Sequence, residues 1–352
     1  MSVTPDKRDI TDSSLGEMES LAGELTGKRF AGRQLFSWIH RHHTSDFSEM
    51  TNLSKEFRSY LNEAYTIKLP DVEQTQESGI DGTKKYLLSL RDGENIETVF
   101  IPGRRNTICV SSQVGCPLGC RFCLTGTMKL KRNLTPSEIA GQIYAVDEML
   151  KQGTDAFQNI VFMGMGEPFL NHDAVMAGID MICDDLGMGI AMKRITISTV
   201  GIIPGIYRLA DSHSKVRLAV SLHAADNDLR TEIVPVNRKY PLYELKEAMQ
   251  YYTQQTGERL TLEYCLIGGI NDSISCAKDL VTFIHGLSCK INLIRYNPAP
   301  GLPDDFAGPS EESVQAFMDY LYPRCPAVTL RKSMGSDILA ACGQLANSTA
   351  KS

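Results

Sequence analysis

Four of the chain's ten cysteines, Cys109, Cys116, Cys120 and Cys123, fall in one short stretch. Three of them form Cys116-x3-Cys120-x2-Cys123. Pro117, Gly119 and Gly126 make that loop tight and let its backbone approach a bulky ligand. Three soft thiolates suit zinc or an iron–sulfur cluster. Structural zinc takes four closed ligands, and no second Cys-x2-Cys or His-x3-His pair is present to supply the fourth. Three cysteines on a four-iron cluster would leave one iron open to a ligand, which is what catalysis requires. The cluster is the first reading, zinc the second, and chance spacing of packing cysteines the third.

The elements that must position such a loop follow from periodicity. With 352 residues, 42% hydrophobic and 22% charged, the chain is a globular protein of one large or two ordinary domains. No run of about 18 apolar residues predicts a membrane span. The polar, acidic N-terminus has no apolar segment of the kind a secretory signal needs, so the expected location is cytoplasmic. In that reducing compartment ten cysteines point to metal or redox roles rather than structural disulfides.

Residues 1–20 read as a flexible tail. The helical pattern starts from about Ser14, and residues 21–65 read as a helical module, with Leu35, Trp38 and Ile39 on one apolar face, then Phe57, Leu61 and Ala64 on another. Thr51 or Asn52 is the expected cap of the second helix. Residues 66–101 read as a β extension with two strands around Asp92-Gly93. Residues 102–344 alternate strand and helix, with strands near 107–113, 159–165, 194–200, 216–223, 260–267 and 290–296 and a seventh apolar run at AVTLRK. Six β/α units predict an α/β core with a parallel sheet, open or rolled into a partial barrel. Residues 345–352 read as a second tail.

Ligands in parallel α/β architectures sit at the C-terminal ends of strands. The cysteine loop follows the first strand, Gly164-Met165-Gly166-Glu167-Pro168 the second, Ser198-Thr199-Val200-Gly201 the third, Ser221-Leu222-His223 the fourth and Tyr296-Asn297 the sixth. These ends predict a single large site. The net charge is −6, yet Thr98–Ser137 contains no acidic residue and six basic ones: Arg104, Arg105, Arg121, Lys129, Lys131 and Arg132. A second acid-free run, Lys28–His43, carries Lys28, Arg29, Arg33 and Arg41 with three histidines. Each run is either a solvated face or a phosphate-binding footprint. His40, His42 and His43 look metal-like but lie on this basic helical run, and no metal is expected there.

The cysteine loop after the first of six β/α strands resembles the radical SAM superfamily. CVSSQVGC, RNLTPSEI, FMGMGEP, ISTVGIIP, VSLHA, IGGIND and DILAACGQLA extend the resemblance to the RlmN/Cfr family of RNA adenosine methyltransferases, and RQLFSWI, MTNLSK, DGTKKYLL and IETVFIP carry it into the N-terminal part. The match covers roughly residues 20 to 347. It implies a partial (β/α)6 radical SAM barrel with an N-terminal helical accessory domain and a small β extension. It also implies a [4Fe-4S] cluster on Cys116, Cys120 and Cys123. S-adenosylmethionine, two per turnover, would be held by Gly166, Glu167, Ser198, Ser221, Leu222 through its backbone, His223 and Asn297.

The targets the resemblance implies are C2 of an adenosine in 23S rRNA and of the adenosine beside the tRNA anticodon. C8 methylation of 23S rRNA, as in Cfr, is the alternative. Neither carbon is a nucleophile, so direct transfer from a sulfonium fails, and the family uses a covalent relay. The resemblance makes Cys342 the S-methylcysteine carrier, Cys109 its partner in a transient disulfide, and Glu97 the proton acceptor. A low-potential electron donor such as flavodoxin or ferredoxin, and a monomer, are further expectations. Without the resemblance, Cys109 would read as core, Cys342 as core or a helix end, and Glu97 as a solvent-facing strand residue. Cys183, Cys265, Cys276, Cys289 and Cys325 match no motif and are expected to be packing residues. A different class, a non-enzymatic RNA-binding protein with a structural cluster, would explain the basic runs and three cysteines but not Cys109, Cys342 and Glu167 at motif positions. A radical enzyme acting on a small molecule or a protein is a third reading.

Overall fold

The computed structural model describes residues 7–153, 155–212 and 214–346. The N-terminal module begins earlier than expected. Strand β1 (Arg8–Asp9) pairs with β2 (Tyr65–Thr66). Helix α1 (Leu15–Thr26) opens on Ser14, whose hydroxyl accepts from the Glu17 backbone while the Glu17 carboxylate reaches back to Ser14. The expected tail over 1–20 is therefore corrected from residue 8 onward; residues 1–6 lie outside the described part. Helix α2 (Phe30–His40) crosses α1 so closely that a Cβ on Gly32 would lie 2.3 Å from Met18 O. Helix α3 (Lys55–Ala64) is capped by Ser54, not by Thr51 or Asn52. Asn52 instead accepts from Trp38 Nε1 at 2.6 Å.

The module docks through His40, which shares a 3.0 Å hydrogen bond with the Tyr144 hydroxyl of α5 (Pro136–Lys151). Burial, and then the neighbouring His43, push the His40 ring down to about 3, against a smaller opposing pull from Asp12. The folded protein thus holds His40 neutral, while the unfolded chain protonates it near its ordinary value. Stability is full above about pH 6.5 and falls as pH drops from there toward 3. Between pH 7.5 and 5.0 this ring is expected to contribute about 2 kcal/mol of lost stability. Urea melts of the protein and of His40→Phe should differ in pH dependence by that amount, and identical profiles would remove the ring from the linkage.

The rest is one ten-stranded sheet, ordered β14-β13-β12-β11-β10-β9-β6-β5-β4-β3. Strands β3 (Asp71–Glu77), β4 (Lys84–Ser89) and β5 (Asn95–Ile101) are antiparallel, and β5 pairs with β6 (Thr107–Cys109). The extension thus has three strands, not two. The extra one is a polar edge strand, and edges are kept polar to discourage further pairing. A short ribbon, β7 (Gln113–Val114) with β8 (Arg132–Asn133), brackets the cysteine loop and helix α4 (Leu124–Thr127).

From β6 the parallel strands run β9 (Asn159–Phe162), β10 (Ile195–Thr199), β11 (Arg217–Ser221), β12 (Leu260–Leu266), β13 (Cys289–Arg295) and β14 (Val328–Arg331). The crossovers are α5, α6 (His172–Cys183), α7 (Ile203–Asp211), α8 (Asn227–Ile233) with α9 (Leu242–Thr256), α10 (Ile274–Ile284) and α11 (Glu311–Leu321). This is the expected six-unit partial barrel, left open, with the seventh strand at its edge. Helix α7 escapes a periodicity reading because its GIIPGIY start looks like a loop, yet proline is tolerated in a first helical turn. Strand β12 is buried at every position, as a central parallel strand must be. Among the described residues no helix is long and apolar enough to cross a membrane.

Candidate active site

The strand ends converge as the parallel topology requires. One open cavity, enclosing about 960 Å³ of empty space up to its mouth, is lined by Cys116, Cys120, Cys123, Gly166, Glu167, Ser198, Ser221, His223 and Cys342. Glycines shape its walls. Gly166 has φ +95, and a Cβ there would meet Gln113 at 2.5 Å. A Cβ on Gly126 would sit 2.8 Å from Cys120 O.

Burial pushes the Cys116 thiol up to about 12 and also raises Cys120 and Cys123; the charge of Cys123 adds to this at Cys116, and those of Cys123 and Cys116 add to it at Cys120. Three thiols that hold their protons until a cation displaces them, on one cavity wall, are a donor set that fits an iron–sulfur cluster with one open iron. Beside them lies Arg230, fully buried on α8. Its guanidinium donates to Leu222 O at 3.0 Å, Asn237 Oδ1 at 2.7 Å, and the carbonyls of Val200 and Ser221. None of these partners is charged, and Cys120 is the nearby group whose thiolate would balance Arg230.

Glu167 accepts from Phe169 N and Val200 N, both at 3.0 Å, leaving lone pairs toward the cavity. Burial raises its carboxyl to about 7. Ser198 and Ser221 hydroxyls stand 3.5 Å apart. His223 adopts φ +60, and its Nδ1 accepts from Cys265 N at 3.0 Å. That bond fixes the tautomer and leaves Nε2 as an unpartnered donor. The ring leans on Phe122 of the cysteine loop at 4.3 Å.

Two expected cofactor residues lie elsewhere. Leu222 is off the cavity wall. Its N–H donates to Glu263 O and its carbonyl accepts from Arg230, so neither backbone group is free. Asn297 lines a second cavity with Cys109, Ala341, Arg331 and Lys332. Cys342, Met163, Ile294 and Leu345 line both cavities, so Cys342 stands in the partition between them. Its accessible surface faces these chambers, and the surrounding wall still pushes its thiol up to about 12. Cys109, buried on β6, is likewise raised to about 12, by burial first and then by Cys342.

Glu97 lines neither cavity. It is 1% exposed, paired with Lys85 at 3.0 Å, and accepts from Ala346 N at 2.8 Å. The second expected tail is therefore corrected at its start: Leu345 and Ala346 pack into the core, and 347–352 lie outside the described residues. Motif reading did not find Glu263, whose Oε1 accepts from Asn292 at 2.9 Å while its buried Oε2 has no hydrogen-bond partner on the cavity wall. A glutamate inside an apolar strand was the available signal. Cys265, read as packing, also lines this wall.

The basic runs are partly neutralised. Arg121 pairs with Glu232 and Asp305, Lys131 with Glu94, and Arg132 with Asp92 and Glu138. Arg29 and Arg33 share Glu19. Among the described residues, Arg104, Arg105 and Lys129 are exposed and form no ion pair. His43, Asp147 and Glu148 converge, but Lys151 already lies between the two carboxylates at 2.9 and 2.8 Å.

Residues 110–279 match the radical SAM superfamily, and residues 8–67 match the ribosomal RNA large subunit methyltransferase N-terminal domain. A probable dual-specificity RNA methyltransferase RlmN of Dictyoglomus turgidum is 46% identical, covering 96% of each chain. The chain belongs to the RlmN family. A dual-specificity RNA methyltransferase RlmN of Oleidesulfovibrio alaskensis is 44% identical over 96% of this chain and 95% of its own. The crystal structure of a radical SAM methyltransferase from Sphaerobacter thermophilus superposes with a TM-score of 0.91 at 41% identity, covering 97% of this chain and all of that one. The RlmN family assignment thus spans the helical module, the antiparallel extension and the barrel together.

Proposed function

We propose that the protein is an S-adenosylmethionine-dependent RNA methyltransferase that methylates C2 of an adenosine in 23S rRNA and in tRNA, with Cys342 as the methyl carrier. The observation that carries this reading is the place of Cys342 between a chamber walled by the three loop cysteines and a chamber holding Cys109. The relatives' description as dual-specificity RNA methyltransferases supports the two RNA substrates.

Cys116, Cys120 and Cys123 would hold the cluster. Glu167, Ser198, Ser221 and the Nε2 donor of His223 would take the polar groups of S-adenosylmethionine. With the cluster bound and reduced, the site gains the one-electron chemistry needed to take a hydrogen atom from an S-methyl group. Cys342 first gives up its thiol proton and accepts a methyl group on sulfur, then presents that carbon to the adenine. Arg331, Lys332 and Asn297 line the chamber on the far side and suit a phosphate and a base edge. The base must leave its stack to reach a sulfur set between two chambers. The carbon bonds to the ring, and the one electron the ring must lose to become aromatic again would return to the cluster. Glu97 lines neither chamber, so it would take the ring proton only after Ala346 N–H leaves its carboxylate; Cys109 then attacks Cys342 sulfur. The S–C bond breaks, the freed carbon takes a proton to become methyl, and a Cys109–Cys342 disulfide remains for external thiols to reduce. A low-potential flavodoxin or ferredoxin fits the electron requirement.

Anaerobic incubation of the reconstituted protein with S-adenosylmethionine, a reductant and unmodified 23S rRNA or tRNA, followed by nucleoside mass spectrometry, tests this. A 2-methyladenosine peak is expected from both RNAs. An 8-methyladenosine peak would overturn the position, and cofactor cleavage without any modified nucleoside would overturn the RNA substrate.

A further inference from the structure

The segment from Gly335 to Ala346 carries Cys342 yet belongs to no strand of the sheet. It is tied instead, contact by contact, to the antiparallel extension. Gly335 N donates to Asp81 at 2.9 Å. Asp337 accepts from Ser78 Oγ at 2.7 Å and from Gly79 N at 3.2 Å. Lys85 Nζ reaches Leu339 O at 3.4 Å, and Ala346 N donates to Glu97 at 2.8 Å. Lys85 and Glu97 then pair with each other at 3.0 Å, with side chains 4% and 1% exposed. One buried ion pair therefore grips the segment on both sides of Cys342. On the opposite flank Leu124 N, next to Cys123, donates to Gly343 O at 2.6 Å, and Gln344 Nε2 donates to Pro298 O at 2.9 Å.

A buried ion pair is a poor way to gain stability, because desolvation cancels much of its attraction and an apolar pair of similar volume often does as well. What an apolar pair cannot do is bind a carbonyl at one end and an N–H at the other. We infer that Lys85 is a positioning residue for the methylation reaction: through Leu339 O and Glu97 it fixes the segment that holds Cys342 in the partition between the two chambers. The inference rests on the reading of Cys342 as methyl carrier. It gives the antiparallel extension a task in the chemistry. It also places Glu97 where it holds Ala346 before any ring proton reaches it.

The test uses the full chain with its cluster reconstituted. Lys85→Met strands a buried carboxylate, so Lys85→Met/Glu97→Gln is made beside it; the double variant removes both charges and keeps an oxygen for Ala346 N–H. Two readouts are taken: hydrogen exchange of the peptide covering 335–346, and the initial rate of Cys342 S-methylation by S-adenosylmethionine without reductant, followed by intact mass. Exchange in that peptide is expected to rise by about tenfold, the scale of one lost hydrogen bond to a charged group. S-methylation should slow by about tenfold or more, because small misplacement of a reacting group is costly. Iron content should stay unchanged, and Lys85→Arg should restore most of both.

Unchanged exchange and unchanged S-methylation in the folded double variant would overturn the inference. Failure of the unaltered protein to S-methylate Cys342, with exchange still responding to Lys85→Met, would instead overturn the carrier reading and leave the anchoring role standing.

Discussion

Cys342→Ala is expected to lower RNA methylation to background, about a thousandfold or more, because no other group can replace a covalent carrier. The side chain is small and faces cavities on both sides, so its loss should leave the barrel intact. Iron content and RNA affinity should therefore be retained. Labelled methyl from S-adenosylmethionine should enter neither protein nor RNA. RNA labelling at a rate comparable with the unaltered protein would remove Cys342 from the mechanism. Retained RNA affinity would show that binding and chemistry separate, as they must in an enzyme rather than a binding module.

Cys109→Ala is expected to stop the reaction one step later and trap the protein on its substrate. Cys109 shares a chamber with Cys342 but not the chamber of the loop cysteines, so its loss leaves the cofactor side untouched. S-methylation and carbon–carbon bond formation should proceed, while release fails for want of the attacking thiol. A nuclease-sensitive protein–RNA adduct should accumulate on a denaturing gel, and turnover should again fall about a thousandfold. In the unaltered protein, the Cys109 thiol is held near 12, so release must draw on a small thiolate fraction. Adduct decay should accelerate as pH rises toward that value. Free, fully methylated RNA from Cys109→Ala would assign release to another group.

Some site residues were legible because chemistry dictates their spacing. Three cysteines within eight positions must lie on one loop, and residues just past parallel strands must share one end of a sheet. Glu97 shows where that logic stops. Flanked by Ile96 and Thr98, it looks like an outward-facing strand residue, yet β5 is buried along nearly its whole length. Strand alternation assigns one face to solvent only if nothing covers it. Here Thr98 bonds Gln142 of α5, while Glu97 is covered by the segment that ends at Ala346 among the described residues. The same cause hid Lys85. The basic runs erred the other way, since Asp92, Glu94 and Glu138, close to Lys131 and Arg132 in space, lie outside the acid-free stretch.

The sequence alone determined the order of β/α units, the cysteine loop after the first of them and the polar residues at the strand ends, because each is a local pattern. Local pattern could not place Cys342, more than two hundred residues from Cys109, on the same chamber wall; only the family resemblance implied that the two meet. That placement depends on side-chain contacts between a segment outside the sheet and strands near the chain's beginning, such as Lys85 to Leu339 O and Ala346 N to Glu97. Such contacts have no period and no spacing rule, so only the tertiary structure decides them.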